Sequence, residues 1–401
     1  MIPAEQAVLA RITAERVTAL TQALVRARGA NPPGEEAATA TELARLAREL
    51  HLQVESEEVE PGRPNVRVTL AGGEGPGLLF LGHTDVVPPG EAADWSTAPY
   101  AATLAEGRII GRGSADMKGG LAAVLLAMAA VRETAVVLSG AVRLDALCDE
   151  EQNGLGIRRL VEQPAPDLLG CVVAEPTDLT TVVAARGASY LHVEVRGVAA
   201  HAGRPQDGRN AISGAALVVA DLDRWHAELA TRAHPLVGPP TVNVGVIAGG
   251  TSGSAVPDLC RLEVDRRLLP GEAMADVVEA VRRRLSALDL GSRGLTWSLT
   301  SPMDMPGFET APDEEFVLVA DAAMGESGRG RRDLQGWTAA CDGGFVADAW
   351  GIPVIVQGPG SVAEQAHRPD ESVAVEELLV AARGYARTIL RLLTPSGPQV
   401  R

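Results

Sequence analysis

The sequence predicts an α/β protein built around a buried sheet, with a second, smaller domain of βαββαβ order inserted into it. Three observations predict this. The chain has 401 residues, too many for one ordinary core. Short apolar runs near 64–70, 77–82, 141–147 and 170–174 alternate with helical patterns, as in a sheet covered on both faces. The pattern then changes near Gly187, where "SYLHVEVRG" alternates strictly and reads as a half-exposed strand.

Each element follows in order. Residues 5–29 and 39–51 read as helices, with "ANPPGEE" as the break between them. The four apolar runs are strands of the sheet. In the insert, Leu191, Val193 and Val195 share one face of the first strand, and Tyr190, His192 and Glu194 share the other. A helix at 208–231, strands at 241–248 and 258–268, a helix at 272–288 and a strand at 295–300 complete the ferredoxin-like order. Helical and strand patterns then return to the C-terminus. "GESGRGRRD", 325–333, reads as a basic surface loop. The expected domains are 1–186 and 301–401 together, with 187–300 as the insert.

Composition excludes several functions. Hydrophobic residues make up 46% of the chain, enough for two real cores. Aromatics are only 3%, so base stacking is poorly supplied. The net charge of -16 lacks the basic footprint of a nucleic-acid binder. Cys148, Cys171, Cys260 and Cys341 form no CxxC pair and read as reduced core residues. The N-terminal stretch is an acid-bearing amphipathic helix, not a signal peptide. The longest apolar stretch, 120–131, is shorter than the about 20 residues that span a bilayer. The expectation is a cytoplasmic protein with no membrane or nucleic-acid partner.

Chemistry gathers at the ends of the apolar runs. "LLFLGHTDVVPPG" delivers His83 and then Asp85; Asp116, Asp149-Glu150-Glu151, Glu175 and His367 stand in similar places. Any one of these alone is ordinarily a surface or packing residue. Their recurrence at several strand ends matters, because strand ends in such a sheet lie side by side and collect ligands. Imidazole and carboxylate together suit Zn²⁺ or a similar divalent ion. Two histidines and several carboxylates exceed the needs of one tetrahedral ion and fit two ions sharing a carboxylate. In a strand, residues two apart point the same way, so the Asp85 carboxylate is expected to accept the second ring N–H of His83.

"GHTDVVPPG", "GRGSADMKGG", "LCDEEQNGLG", "AEPTD", "VRGVAAHAGRPQDGRNAI", "DRRLLPGE" and "GPGSVAEQAHRPDE" occur in this order. In these motifs the chain resembles the co-catalytic zinc exopeptidases and deacylases, a family that includes acetylornithine deacetylase, succinyl-diaminopimelate desuccinylase, aminoacylase and bacterial glutamate carboxypeptidase. The likeness covers essentially the whole chain and looks closest to the acetylornithine deacetylase-like branch. It implies a catalytic domain with a mixed sheet flanked by helices, and an insert that serves as lid and dimerisation domain. It implies His83 and Glu175 on one metal, Asp116 bridging both, and Glu151 and His367 on the second. It implies Glu150 as the general base for a metal-bridging water, with Asp85 behind His83. His201 looks like the histidine that stabilises the oxyanion, supplied by the neighbouring subunit in dimeric relatives. Arg267 looks like the arginine that grips a substrate carboxylate, with Arg266 as the alternative register. Asn243 and Gly360 resemble substrate contacts. A cis bond at Asp116–Met117 is also implied. The cofactors are then two divalent ions per chain, Zn²⁺ first, with Co²⁺ or Mn²⁺ able to serve.

The expected function is metal-dependent hydrolysis of an amide bond in an N-acyl amino acid or small peptide with a free carboxylate, by a homodimer. Deacylase and dipeptidase or carboxypeptidase are both open. A non-catalytic metal-binding scaffold would have no use for Glu150. Hydrolysis at a ureido or carbamoyl nitrogen ranks lower, because those relatives carry a different ligand and arginine pattern.

Overall fold

Apolar runs become adjacent strands because each must bury both faces. In the computed structural model, which describes residues 3–394, the runs are strands Arg63–Leu70, Gly75–His83, Gly140–Leu147 and Leu168–Val173. Gly75–His83 lies between Gly140–Leu147 and Leu168–Val173 and is parallel to both. Val354–Val356 continues the parallel set beyond Leu168–Val173. Arg63–Leu70 pairs antiparallel with Gly140–Leu147, so the sheet is mixed. The outer strand, Gln53–Glu60, has no apolar run to announce it. Glu55, Glu57, Glu58 and Glu60 make it a charged edge, which discourages pairing with other chains.

Register places the chemistry. His83 pairs with Leu147, and Leu81 pairs with Val173. The residues after these three strands therefore emerge along one edge of the sheet. The helix Gly119–Glu133 covers the sheet and is buried from Gly119 through Val131. Its apolar window is wholly inside the protein, as a core helix requires. The helix Val375–Leu393 packs beside it, with Tyr385 edge-on to Phe80 at 5.2 Å between ring centroids.

Several local expectations change. The single helix expected over 5–29 is two, Pro3–Leu9 and Ala14–Arg26. Thr13 starts the second by accepting the Arg16 N–H at 3.3 Å, so it caps a helix rather than continuing one. The expected loop at 325–333 is partly buried. Its first half, Gly325–Arg329, follows the helix Glu315–Met324 as a turn that leaves helical geometry at Gly328, where φ is 137°. The Arg329 side chain is almost wholly buried, paired with Asp321 at 2.8 Å and donating to Thr181 Oγ1 at 3.0 Å.

The chain divides into two compact units. One takes in the chain up to Val183, then Thr310–Gln335 and the chain from Phe345; the other is Ala184–Glu309 with Gly336–Gly344. The second unit extends past the expected boundary at 300. Its last strand, Thr296–Met305, crosses a bulge and goes on pairing, with Met303 opposite Tyr190 and Met305 opposite Ala188. Its four antiparallel strands stand in the order Thr241–Gly249, Leu259–Leu268, Gly187–Arg196, Thr296–Met305. Helices Ala211–Leu229 and Met274–Ala287 complete the unit. Leu191, Val193 and Val195 are buried against Leu222, Trp225, Val281 and Leu285, while Tyr190 and His192 face out.

Candidate metal centre

His83 is the last residue of its strand and is 1% exposed. Its Nδ1 lies 3.0 Å from the Asp85 main-chain carbonyl. A carbonyl oxygen can only accept, so Nδ1 carries a hydrogen, and Nε2 is the nitrogen that would offer a lone pair to a metal once its own proton is displaced. The expected partner, the Asp85 carboxylate, is farther away at 3.6 Å. The strand ends at His83, so the two-residue period does not reach Asp85. Its carboxylate turns instead to the next strand end. There it accepts the Glu150 N–H at 3.2 Å and the Glu151 N–H at 3.1 Å.

His83 Nε2 faces Asp116 Oδ1 at 3.2 Å and Glu175 Oε1 at 3.3 Å. Asp116 stands in the tight turn Ser114–Lys118, and its bond to Met117 is cis. Its other oxygen, Oδ2, faces His367 Nε2 at 3.4 Å. The same His367 nitrogen lies 3.3 Å from Glu151 Oε2. Two trios thus share one carboxylate: His83, Asp116 and Glu175 on one side, His367, Asp116 and Glu151 on the other. The Glu150 carboxylate comes within 4.8 Å of the ligand atoms of His83 and Glu175. Glu371 steadies the Asp116 turn from behind. Its Oε1 accepts the N–H groups of Ala115 and Asp116 at 2.9 and 3.0 Å, and its Oε2 pairs with Arg112 at 2.6 Å.

The electrostatics call for cations. Burial pushes Glu175 up to about 7, and the Asp116 charge adds to it. Burial also raises Glu151, and its Oε1 is buried with no hydrogen-bond partner. Hydrogen bonds to Asp116 and Glu151 raise His367 to about 10. Burial alone would lower His83, but Glu175 and Asp116 outweigh it and hold the ring well above its ordinary value. Burial alone would raise Asp116, but His367 and His83 keep it low. Asp116, Glu150, Glu151 and Glu175 bring four carboxyl groups together, and two divalent cations would balance them when all are ionised. Imidazole nitrogen with carboxylate oxygen is a donor set for zinc or a similar ion, so the residues fit such a pair.

Gly360 lies in the glycine turn after strand Val354–Val356. Its φ is +87°, and a Cβ there would stand 3.0 Å from Ala115 Cβ, so the turn runs close under the Asp116 loop. Three further candidates belong to the second unit. His201 ends the short strand Ala200–His201 and is exposed. Its Nδ1 accepts the Gly203 N–H at 3.0 Å, so the neutral ring carries its hydrogen on Nε2, free to donate. Arg266 and Arg267 point to opposite faces of their strand. Arg266 is buried over the Trp225 ring and paired with Glu272, whereas Arg267 is partly exposed and paired with Asp265 at 3.0 Å. Asn243 is exposed on strand Thr241–Gly249. Sequence reasoning missed the supports around the centre: Asn31, Arg63, Arg112 and Glu371. The segments that hold Asn31 and Glu371 stood in view, as "ANPPGEE" and "AHRPDE", without a role for either residue.

Comparison with known proteins places this geometry in context. The sequence pattern of Peptidase family M20/M25/M40 matches residues 79–391. The acetylornithine deacetylase of Aliivibrio fischeri (strain ATCC 700601 / ES114) is 32% identical over 335 residues, covering 83% of this chain and 85% of that protein. That of Proteus mirabilis (strain HI4320) is 30% identical over 326 residues, covering 79% and 80%. Among solved structures, aminopeptidase PepT of Bacillus cereus superposes with a TM-score of 0.76 at 24% identity, covering 94% of this chain and 98% of that one. The Bacillus subtilis YXEP protein, a dinuclear metal-binding peptidase, gives 0.71 at 18% identity, covering 95% and 99%. At these identities the structural likeness speaks for the fold.

Proposed function

Because the chain belongs to peptidase family M20/M25/M40 and is a metal-dependent hydrolase of amide bonds, we propose a narrower activity for it: removal of the acyl group from an N-acyl amino acid that keeps a free carboxylate. The sequence relatives named acetylornithine deacetylase support the deacylase branch. The observation that carries the hydrolytic chemistry, common to both branches, is the shared Asp116 carboxylate, one oxygen toward each histidine, with Glu150 beside the trio that holds Glu175.

In this reading His83, Glu175 and Asp116 would hold one ion, and His367, Glu151 and Asp116 would hold the other, with zinc the ion proposed for both places. When bound, such ions polarise the scissile carbonyl and acidify a water. Glu150 takes a proton from the attacking water and returns it to the leaving nitrogen. Asp85 keeps Glu150 and Glu151 in place through their N–H groups. From the insert, His201 Nε2–H donates to the developing oxyanion, and Arg267 takes the substrate carboxylate through its planar fork. Asn243 and the Gly360 turn contact the substrate. The insert acts as lid and as the interface of a homodimer. Cys148, Cys171 and Cys260 are buried thiols, which supports a reducing, cytoplasmic setting.

The test is metal content by mass spectrometry for wild type and Glu150→Ala, each then assayed on N-acetyl amino acids and dipeptides. About two ions per chain in both proteins, with wild-type turnover of N-acetyl substrates only, is the expected outcome. Turnover of dipeptides alone would move the chain to the peptidase branch. Absence of bound metal would defeat the assignment of the ligands.

A further inference from the structure

The segment "ANPPGEE", 30–36, has no part in the chemistry above, and its composition explains no more than a break between helices. Its placement is specific. Ala30 forms a parallel bridge to Val86. The Asn31 N–H donates to the Val86 carbonyl, and the Val86 N–H donates to the Gly29 carbonyl, each at 2.9 Å. The segment is therefore fastened to the residue that follows Asp85.

Asn31 is 2% exposed. Its Nδ2 lies 2.9 Å from Asp85 Oδ2 and 2.9 Å from Asp149 Oδ1. A primary amide carries two N–H hydrogens, and each meets one carboxylate. Those carboxylates organise the turn that bears Glu150 and Glu151. Asp85 accepts the N–H groups of Glu150 and Glu151. Asp149 Oδ2 accepts those of Asn153 and Leu155 at 3.2 and 3.3 Å. Asp149 itself sits at φ 68°, a conformation that surrounding contacts must hold. Arg63 backs the arrangement, pairing with Asp149 at 2.7 Å and with Glu36, the last residue of the segment. Asp85, Asp149 and Glu36 are fully buried, so losing a partner there is costly.

We propose that Asn31 is a positioning residue: by bridging Asp85 to Asp149 it holds Glu150 at the reacting water and Glu151 at the metal, with Arg63 and Glu36 behind it. The inference rests on the roles given above to Glu150 and Glu151. It differs from simple packing in what it predicts. A packing residue, once truncated, loosens the protein broadly. A positioning residue loosens one turn and slows one step.

The experiment compares wild type, Asn31→Ala and Asn31→Asp as full chains loaded with zinc, by amide hydrogen exchange and by kinetics. Asn31→Ala is expected to raise exchange at least tenfold in the peptide covering 149–155, with the rest of the chain unchanged. Its kcat is expected to fall about 10–100-fold, the usual effect of losing such a support, with KM within about twofold. An aspartic acid between two carboxylates can offer one O–H, so Asn31→Asp is expected to fall between wild type and Asn31→Ala. It answers the same question should Asn31→Ala fail to fold. Unchanged exchange at 149–155 in a folded variant overturns the proposal, and so does a rise spread evenly over the chain. If wild type hydrolyses none of the substrates, the functional reading fails by itself, and the exchange pattern alone decides the role of Asn31.

Discussion

The two halves of the proposed metal centre use the same kinds of donor but are built differently. His83 and Glu175 stand at or just past the ends of adjacent parallel strands and are buried. His367 stands in a loop at φ 64° with 53% of its side chain exposed, and its partner Glu151 lies on a turn. The first half is positioned by the sheet. The second is positioned by tie-downs: Asp85 and Asn31 behind the Glu151 turn, Glu371 and Arg112 behind Asp116. Rigid strand ends lose little freedom when they bind an ion, whereas a loop must be ordered each time. The ion on the His83 side should therefore be the tighter, and that on the His367 side the first to exchange.

The strongest way to break the comparison is to remove what both halves share. Asp116→Ala should release both ions and abolish measurable turnover. Metal supplies several kcal/mol of transition-state stabilisation, and a factor of ten corresponds to about 1.4 kcal/mol, so the loss should be roughly 10³-fold or more. Metal analysis after dialysis checks it; two ions retained would show that Asp116 does not bridge. Glu150→Gln should leave both halves loaded and lower kcat by about 10²–10⁴, the range of a general base. A variant that loses its metal as well would make Glu150 a ligand instead.

Much of this was legible in the sequence, and the reason is geometric. His83, the Asp149-Glu150-Glu151 trio and Glu175 each follow an apolar run, so a parallel sheet necessarily brings them to one edge. Asp116 and His367 were also read as ending apolar runs, but Asp116 stands in the turn Ser114–Lys118 and His367 in a loop, so only the motif resemblance gave them their roles. What could not be read was support from far along the chain. Asn31 meets carboxylates 54 and 118 residues away, and Glu371 meets the Asp116 amide 255 residues away. Neither contact leaves a periodic trace. The strand Gln53–Glu60 was hidden for another reason: its glutamates mask a strand that exists because its backbone pairs with Arg63–Leu70. Arg329 was misjudged because its charge suggested solvent, while Asp321 compensates it inside.

Single ligand changes sharpen the comparison with smaller effects. His83→Ala should cost roughly 2–3 kcal/mol of the metal-free protein's stability, because it empties a buried site and leaves carboxylates without a partner. His367→Ala should cost less, because its side chain is 53% exposed and solvent screens its pairs with Asp116 and Glu151. Both should lose one ion. Thermal unfolding in chelator separates them, and equal destabilisation would contradict the division into a sheet-built and a loop-built half.

The finest test of the two halves is a pH dependence of metal uptake. Asp116 and Glu151 raise His367 from 6.5 to about 10, so at neutral pH the metal-free ring holds a proton. A folded-state value above the unfolded one means that this proton stabilises the metal-free fold. That contribution is complete below about 6.5 and is lost as pH rises through about 10. An ion needs the neutral ring, so binding must expel the proton. Affinity on the His367 side should then increase with pH between about 7 and 9, by about tenfold per unit for one displaced proton. Calorimetry in buffers of different ionisation enthalpy counts the protons released on zinc binding. His367→Ala should release one fewer than wild type, while the His83 side keeps its own. Equal release from the two proteins would mean that the exposed imidazole is already neutral, and that the carboxylates around it are balanced in another way.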